Sequence, residues 1–489
     1  MAATQSTRKL FLLVLSFALM IGIALMPQPS GLTIVGQRVL AVLVFAVIIW
    51  ISEAVSYPVS GILIIASLIV FLGFSPAAAN PKMLLGTGKA IPVALSGFVN
   101  AGWVLVAAGL FIAPCIIQTG LQNRIALKVL SIVGPKTNSI IAGIIVIAQI
   151  LAFLMPSVAA RAATMVPIAL GLISAFKIDR KSAFAKQLML TIGLATAISG
   201  IGLLSGGGSN PYVTSVIAKV FNKTITWADW FVYAEPLAIA MCIALYFLVT
   251  RLNKFEFAEI PGGRQAVAKA LSELGPVTRA EKKICVIFAI TIALWATENL
   301  HHIDANSVAL FAVAAMLMPY IGVTSWKDVV GKVEWGAILL FGAGLSLGEL
   351  IFSSGAAVWM AKVSLGSIGL EKLSPAIMMA IITVAFVIMR FAFSSILSAS
   401  VTAIPTVLGV LLSMNNSRLP MWGMLLITTY TSYLSFVLPI NAAHVLLTYS
   451  TDTWELRDSF RVGGPLTLAG VALIILFSYT YWRWIGMMW

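Results

Sequence analysis

Long apolar runs separated by short polar turns dominate the 489-residue chain. A helix needs roughly 20 apolar residues to cross the hydrocarbon of a bilayer, and such runs recur here about eleven times, with two more interrupted near their middles. The pattern predicts helices near 7–26, 35–53, 57–73 and 93–119, a bent pair near 136–175, then helices near 187–217 and 229–250. After a polar stretch at 251–283, with an amphipathic helix around Arg264 to Leu274, a second set follows. It comprises helices near 284–299, 304–321 and 334–356, a bent pair near 373–413, and helices near 420–449 and 463–486. Strict alternation of apolar and polar residues, the mark of a membrane β-barrel, does not occur.

Composition makes the class definite. The chain is 60% hydrophobic and 10% charged, with a mean hydropathy of +1.02, which is the balance of an all-α polytopic membrane protein. The first run, Leu10 to Met26, follows Arg8 and Lys9, but Pro27 to Gly31 lacks a small-x-small cleavage pattern, so it reads as a retained span. A net charge of +14 would suggest nucleic acid in a soluble protein. Here the basic residues gather in two loops, around Lys177–Lys186 and Arg251–Lys283, and that bias orients the chain. With the N-terminus cytoplasmic, roughly twenty Lys and Arg fall inside and about nine outside. Cys115, Cys242 and Cys285 lie in or beside apolar helices without metal-ligand spacing.

The two halves carry matching segments in the same order. Ile48 to Pro58 resembles Ile292 to His302, aligning Trp50 and Glu53 with Trp295 and Glu298. Ala107 to Gly120 resembles Gly342 to Gly355, with glycines at equal spacing. Met155 to Pro167 resembles Phe393 to Pro405, with Ser157 and Ser395 each ten residues before a proline. Because the first bent pair opens to the cytoplasm and the second to the exterior, the halves are expected to be inverted-topology repeats. Inverted repeats with broken helices at matching places mark a secondary transporter whose substrate sits at the repeat interface.

Four breaks are expected at membrane depth: the tips of the two bent pairs, Gly200 to Pro211, and Val437 to His444. Unwound backbone survives there only when buried in protein or lining a wet cavity. Half-helix N-termini at such breaks favour anions, and the freed carbonyls can hold a small cation. No P-loop, H-E-x-x-H or nucleophile elbow is present, so neither ATP-driven transport nor hydrolysis is expected.

The W-x-x-E segments, the glycines before Gly120, the hairpin tips and the two unwound helices together resemble the divalent anion/sodium symporter family over nearly the whole chain. The resemblance implies homodimers, an elevator mechanism with a fixed scaffold and a moving transport domain, and substrates among dicarboxylates, tricarboxylates and sulfate. It also implies about eleven transmembrane helices plus two re-entrant helical hairpins, and sodium near Ser157, Gly202 and Ser395. Family members carry Ser-Asn-Thr at each tip and Thr-Pro-Pro-Asn at each unwound helix. This chain has Ser157-Val158-Ala159 and Ser395-Ile396-Leu397 at the tips, and Gly207-Gly208-Ser209-Asn210 and Asn441-Ala442-Ala443-His444 at the breaks.

Arg161 stands four residues after the tip serine. A charge in mid-bilayer costs about 2.5–3.5 kcal/mol on insertion scales, so such residues usually serve a cavity. Its guanidinium is expected to supply the positive charge that sodium supplies in the relatives and to grip a carboxylate by a forked pair of hydrogen bonds. The alternative is internal pairing with a carbonyl. Ser157, Arg161, Ser205, Ser209, Asn210, Ser395, Asn441 and His444 form the expected substrate site. Arg390 is expected to pair with Glu349 in helix packing, and Glu53 and Glu298 to close the framework by hydrogen bonds.

The expected organisation places scaffold helices at 1–129, the first transport part at 130–220 and the second at 370–450. Scaffold and linker occupy 221–369, and the last helix 451–489. The expected function is secondary transport of an organic anion of the di- or tricarboxylate class, with no cofactor beyond a possible sodium, in a bacterial inner membrane. Exchange, uniport, proton coupling and sodium symport all stay open, as do export of aromatic acids and, less favoured, an anion channel.

Overall fold

The computed structural model describes residues 2–77, 80–260, 262–365, 374–414 and 420–488, and the boundary drawn at 369/370 lies outside them. In the first half α1 (Ala2–Leu25), α2 (Ile34–Ser52) and α3 (Tyr57–Gly73) lead into a small hairpin of β1 (Pro76–Ala77) and β2 (Asn80–Leu84). Next come α4 (Thr87–Ala94), α5 (Ala101–Thr119), α6 (Leu121–Val133), α7 (Thr137–Leu154), α8 (Val158–Ala175), α9 (Ala183–Gly202), α10 (Ser209–Phe221), α11 (Trp227–Leu252) and α12 (Gly263–Glu273). The second half has α13 (Arg279–Ala296), α14 (Glu298–His301), α15 (Ala305–Leu317), α16 (Trp326–Val329), α17 (Trp335–Ser353) and α18 (Ala356–Leu365). It ends with α19 (Pro375–Arg390), α20 (Ile396–Ser413), α21 (Met421–Ser432), α22 (Ala443–Tyr449), α23 (Leu456–Tyr479) and α24 (Tyr481–Trp484).

Nine helices among the described residues are long and apolar enough to cross a membrane, with further apolar helices of 10–17 residues beside them. The molecule is an all-α polytopic membrane protein. Side-chain caps start several helices where the sequence changes character: Thr226 with Asp229 boxes the start of α11, and Thr278 with Glu281 that of α13.

One expected helix, 93–119, is in fact interrupted. α4 gives way to a 3-10 turn at Ser96–Val99, and α5 begins afresh where Asn100 Oδ1 accepts from Gly102 N at 2.8 Å. The cause is steric as well as local: Gly97 lies so close to the carbonyl of Gly342 that a Cβ would overlap it. An asparagine N-cap then satisfies an amide that the break leaves free.

The matched segments make matched contacts. Trp50 Nε1 donates to Ser60 Oγ at 3.1 Å and Trp295 Nε1 to the carbonyl of Ala305 at 3.0 Å, each reaching ten residues onward. Gly109 on α5 leaves room for the ring of Pro156, and Gly344 on α17 for Val401. Two of the glycines read from the sequence are therefore seats for the two bent pairs.

Packing divides the helices. α3 lies along α17, and α5 along α15; α9 lies along α7 and α11, α11 along α23, and α20 along α18 and α21. The sequence reading grouped α11 and α23 with the framework; α11 packs chiefly on α9 and α23, and α23 chiefly on α11. Some 94% of the membrane-length stretch in α9 is buried, so the break at its end lies inside protein.

Candidate substrate-binding site

Two helix–turn–helix units and two interrupted helices supply the walls of one cavity of about 370 Å³. α7 and α8 turn at Met155–Ser157, and α19 and α20 turn between Phe391 and Ser395. α9 passes to α10 through extended backbone at Leu203 and Gly207, and α21 to α22 through Leu438 and Ala442. The N-termini of α8, α10 and α20, helices of 18, 13 and 18 residues, all border the cavity. Their dipoles make it favourable for an anion.

Five of the eight residues expected at the site line this cavity: Ser157, Ser205, Ser209, Ser395 and His444. Ser157 caps α8, accepting from Ala160 N at 3.2 Å, and donates to Glu334 Oε1 at 3.2 Å. Ser395 caps α20, accepting from Ser398 N at 3.4 Å. Ser205 Oγ receives the indole N–H of Trp227 at 3.4 Å. Ser209 Oγ and His444 Nε2 are buried and have no hydrogen-bond partner within the protein. An unpaired polar atom on a cavity wall is free to bond water or a ligand there.

Asn210 and Asn441 are buried and do not line the cavity; Asn210 holds its break together by its side chain, and Asn441 offers its backbone carbonyl to Arg390. Asn210 Nδ2 donates to the carbonyls of Gly200 and Leu203 at 2.8 and 2.7 Å, while its Oδ1 accepts from Tyr433 OH at 2.9 Å. The side chain thus closes a break that the backbone cannot close for itself. Gly207 is required there, because a Cβ would strike the Tyr433 hydroxyl. Gly202, expected near sodium, ends α9 with Glu235 packed against it too closely for any side chain.

Arg161 is wholly buried and does not reach the cavity surface. Nη1 donates to the carbonyls of Met155 at 2.5 Å and Gly206 at 3.0 Å, and Nη2 to that of Thr196 at 3.1 Å. Of the two expectations for this side chain, the internal carbonyl pairing is the one whose contacts this structure shows. Burial gives the reason: the hairpin turn and the break after α9 leave the carbonyls of Met155 and Gly206 outside regular α-helix, and this guanidinium supplies their donor while also sharing the Thr196 carbonyl with Ser199 Oγ.

Arg390, also buried, does not pair with Glu349, which binds Lys219 instead. Its Nε donates to the carbonyl of Ser432 at 2.9 Å, Nη2 to that of Asn441 at 2.6 Å, and Nη1 to that of Phe393.

Four polar side chains on the cavity wall were not among the residues expected at the site. Tyr57 OH lies 2.6 Å from Ser394 Oγ, joining the start of α3 to the second hairpin tip. Tyr433 and Glu334 also line the cavity. Tyr57 and Ser394 lay inside segments already matched between the halves, whereas Glu334 and Tyr433 carried no local signal. The cavity shares Leu110 and Glu334 with a cleft of about 430 Å³ that is lined by Gln122, Asn123 and Lys332. Next to Asn123, Arg124 binds Glu281 and the carbonyls of Leu274 and Gly275. The cleft therefore leads to the end of the molecule that holds the basic 251–283 loop.

Residues 7–488 match the family described as the sodium:sulfate symporter transmembrane region. The chain belongs to that family. The resemblance read from the W-x-x-E segments and the hairpin tips is borne out, and the chain is a membrane transporter, not an enzyme. A relative from Cupriavidus necator described only as a membrane protein is 37% identical over 470 residues, covering 96% of this chain and 91% of the relative. The sodium-dependent dicarboxylate transporter SdcS of Staphylococcus saprophyticus is 24% identical, covering 92% and 87%. The L-tartrate/succinate antiporter of Escherichia coli K12 is 26% identical, covering 93% and 94%. Among solved structures, the Alcanivorax borkumensis YdaH transporter aligns with a TM-score of 0.53 at 13% identity, covering 88% of this chain and 99% of that one. Within this sodium:sulfate symporter member, no group of three His, Cys, Asp or Glu side chains suited to a metal occurs among the described residues.

Proposed function

We propose that the protein carries small organic anions of the di- or tricarboxylate class across a bacterial inner membrane, and does so without sodium, by exchange or uniport. One observation carries the second half of the reading. A small cation bound at these breaks would need oxygen ligands. The carbonyls of Met155, Gly206 and Thr196 are already engaged by Arg161, and those of Phe393, Ser432 and Asn441 by Arg390. The residues present therefore do not fit sodium at these two places, and two permanent charges stand where mobile ones would serve.

The substrate half rests on the named relatives, both of which handle dicarboxylates, and on the unpaired Ser209 and His444 groups at the cavity wall. Transport by an elevator motion would carry both hairpins and the broken helices past α3, α5 and α17. In that motion the contacts of Ser157 with Glu334, of Tyr57 with Ser394 and of Lys219 with Glu349 must break and re-form. The resemblance further suggests a homodimer, and the bias of Lys and Arg toward one side supports a cytoplasmic N-terminus.

Counterflow of radiolabelled succinate into proteoliposomes, run in sodium and in choline buffers, tests the reading. Equal counterflow in both is expected. Strict dependence on sodium refutes the role given to the two arginines, and no flux of any di- or tricarboxylate refutes the substrate class.

A further inference from the structure

The lining of the cavity divides by element. Apart from Tyr57, whose hydroxyl is joined to Ser394, every hydroxyl and imidazole on it comes from the two hairpin tips and the two broken helices. The helices that stay whole contribute differently. α5 gives Leu105, Val106 and Leu110, and α17 gives Ala337 and Leu340; none of these side chains can form a hydrogen bond. The first turns of α8 and α20 add more of the same kind, with Val158 on one and Ile396 and Leu397 on the other.

Few polar side chains remain open to a ligand. Tyr433 is spent on Asn210, and Ser157 on Glu334, where the cavity meets the cleft. Ser209 Oγ and His444 Nε2 have no partner, while Ser205 and Ser395 each accept one bond and keep a hydroxyl hydrogen to give. A carboxylate offers about four acceptor positions, so two carboxylates suffice to engage these groups and the first amides of α8, α10 and α20. Whatever joins the two carboxylates then lies among leucine, isoleucine and valine side chains. A hydroxyl group there gives up its bonds to water for nothing, whereas a methyl group gains by leaving water. Space allows it: at roughly 30 Å³ for each water of the liquid, a cavity of about 370 Å³ exceeds the needs of a four-carbon dicarboxylate.

We infer that the preferred cargo is a dianion whose two carboxylates are joined by an apolar, alkyl-bearing body, and that the side chains of α5, α17 and α20 on the cavity wall select against hydroxylated bodies. This rests on the reading of the cavity as a dicarboxylate site and narrows it. In the elevator motion, side chains of α5 and α17 that make no hydrogen bond to the cargo have none to break as the hairpins pass them.

The test compares succinate, 2,2-dimethylsuccinate and L-tartrate, which share one chain length and one charge and differ only in what the middle carbons carry. Each is titrated calorimetrically into the purified full chain at about pH 8, where carboxyl groups are ionised. Dimethylsuccinate should bind roughly tenfold more tightly than succinate, from about fourfold for each methyl group buried. Tartrate should bind about tenfold more weakly, or worse. Leu397→Asn, which puts an amide on the first turn of α20, should narrow the gap between tartrate and succinate by about threefold or more. Tartrate binding as tightly as succinate, or dimethylsuccinate binding no more tightly, overturns the inference and leaves the carrier reading intact. An unchanged gap in a Leu397→Asn protein that melts as the wild type does also overturns it, and because the wild-type series needs no variant, misfolding of that protein leaves the test standing. Failure of the wild type to bind any of the three overturns both readings.

Discussion

Arg161 and Arg390 grip matched carbonyls from opposite sides of their turns. Arg161 follows its tip serine and Arg390 precedes its own, yet each donates to the carbonyl two residues before that serine, Met155 in one case and Phe393 in the other. Each also reaches the adjacent broken helix, at Gly206 and at Asn441. A guanidinium in this position is both a clamp on the break and a permanent charge behind the cavity.

Removing the Arg161 clamp takes their side-chain donor from the carbonyls of Met155 and Gly206 and leaves that of Thr196 to Ser199 Oγ alone. Arg161→Ala is expected to destabilise the protein by roughly 2–4 kcal/mol, since each hydrogen bond from a charged donor contributes substantially when its acceptor is otherwise buried and unsatisfied. The vacated oxygens then suit a small cation. Thermal melts of Arg161→Ala in sodium chloride should lie above those in choline chloride, while wild-type melts coincide. A variant that melts identically in both salts would mean the carbonyls do not form a cation cage once freed.

His444 tests the cavity wall directly. Its Nε2 has no protein partner, so His444→Leu removes a polar atom that the empty protein leaves unpaired. The melting temperature should hold or rise. Affinity for the transported carboxylate should fall about ten- to a hundredfold, the equivalent of one hydrogen bond to a charged group. Calorimetric titration of wild type and variant reads the difference.

Much of this architecture was legible before any coordinates. Apolar runs of membrane length gave the spans, and the ten-residue spacing from Ser157 and Ser395 to Pro167 and Pro405 located both turns. The glycine run before Asn210 located one broken helix, and Val437 to His444 in the equivalent helix of the second half located the other. What pattern could not give was the direction in which a side chain points. Arg161 was correctly placed at the hairpin tip, but whether its guanidinium met substrate or backbone depended on where the carbonyls of Gly206 and Thr196 fell in space, 45 and 35 residues along the chain. Glu334 illustrates the same limit: at the start of an apolar helix it reads as a boundary residue, and only the fold brings it to Ser157, 177 residues away.

Gly207 and Tyr433 form a pair whose coupling is measurable. The close approach of the hydroxyl leaves no room for a Cβ at position 207, and that same hydroxyl binds Asn210. Gly207→Ala should therefore cost about 1–3 kcal/mol through overpacking and reduce transport. Tyr433→Phe alone loses one hydrogen bond, about 1 kcal/mol. In the double variant the removed hydroxyl frees space for the new methyl, so the combined loss should be smaller than the sum. A double-mutant cycle on melting temperature and succinate counterflow measures it, and strict additivity would show that the alanine is accommodated elsewhere.

Outside the membrane, the Arg124–Glu281 pair sets an acid limit on stability. Burial of Glu281 opposes its charge, but the hydrogen bond from Arg124 Nε at 2.6 Å, the backbone N–H of Thr278 and the neighbouring guanidinium charge outweigh it. They hold the carboxyl below its ordinary value of 4.5. A group whose folded value is depressed stabilises the fold fully above its unfolded value and ceases to do so as pH falls through the folded one. Stability should therefore be flat on this account above about pH 5 and decline below the usual carboxylate range. Arg124→Gln removes the main cause of the depression. Its melting temperature should lie below wild type at neutral pH, and the gap should close in acid, where Glu281 is protonated in both proteins. Melting curves collected across about pH 3–7 decide the matter: a gap that persists unchanged at the acid end would mean that Arg124 acts through the carbonyls of Leu274 and Gly275 rather than through Glu281.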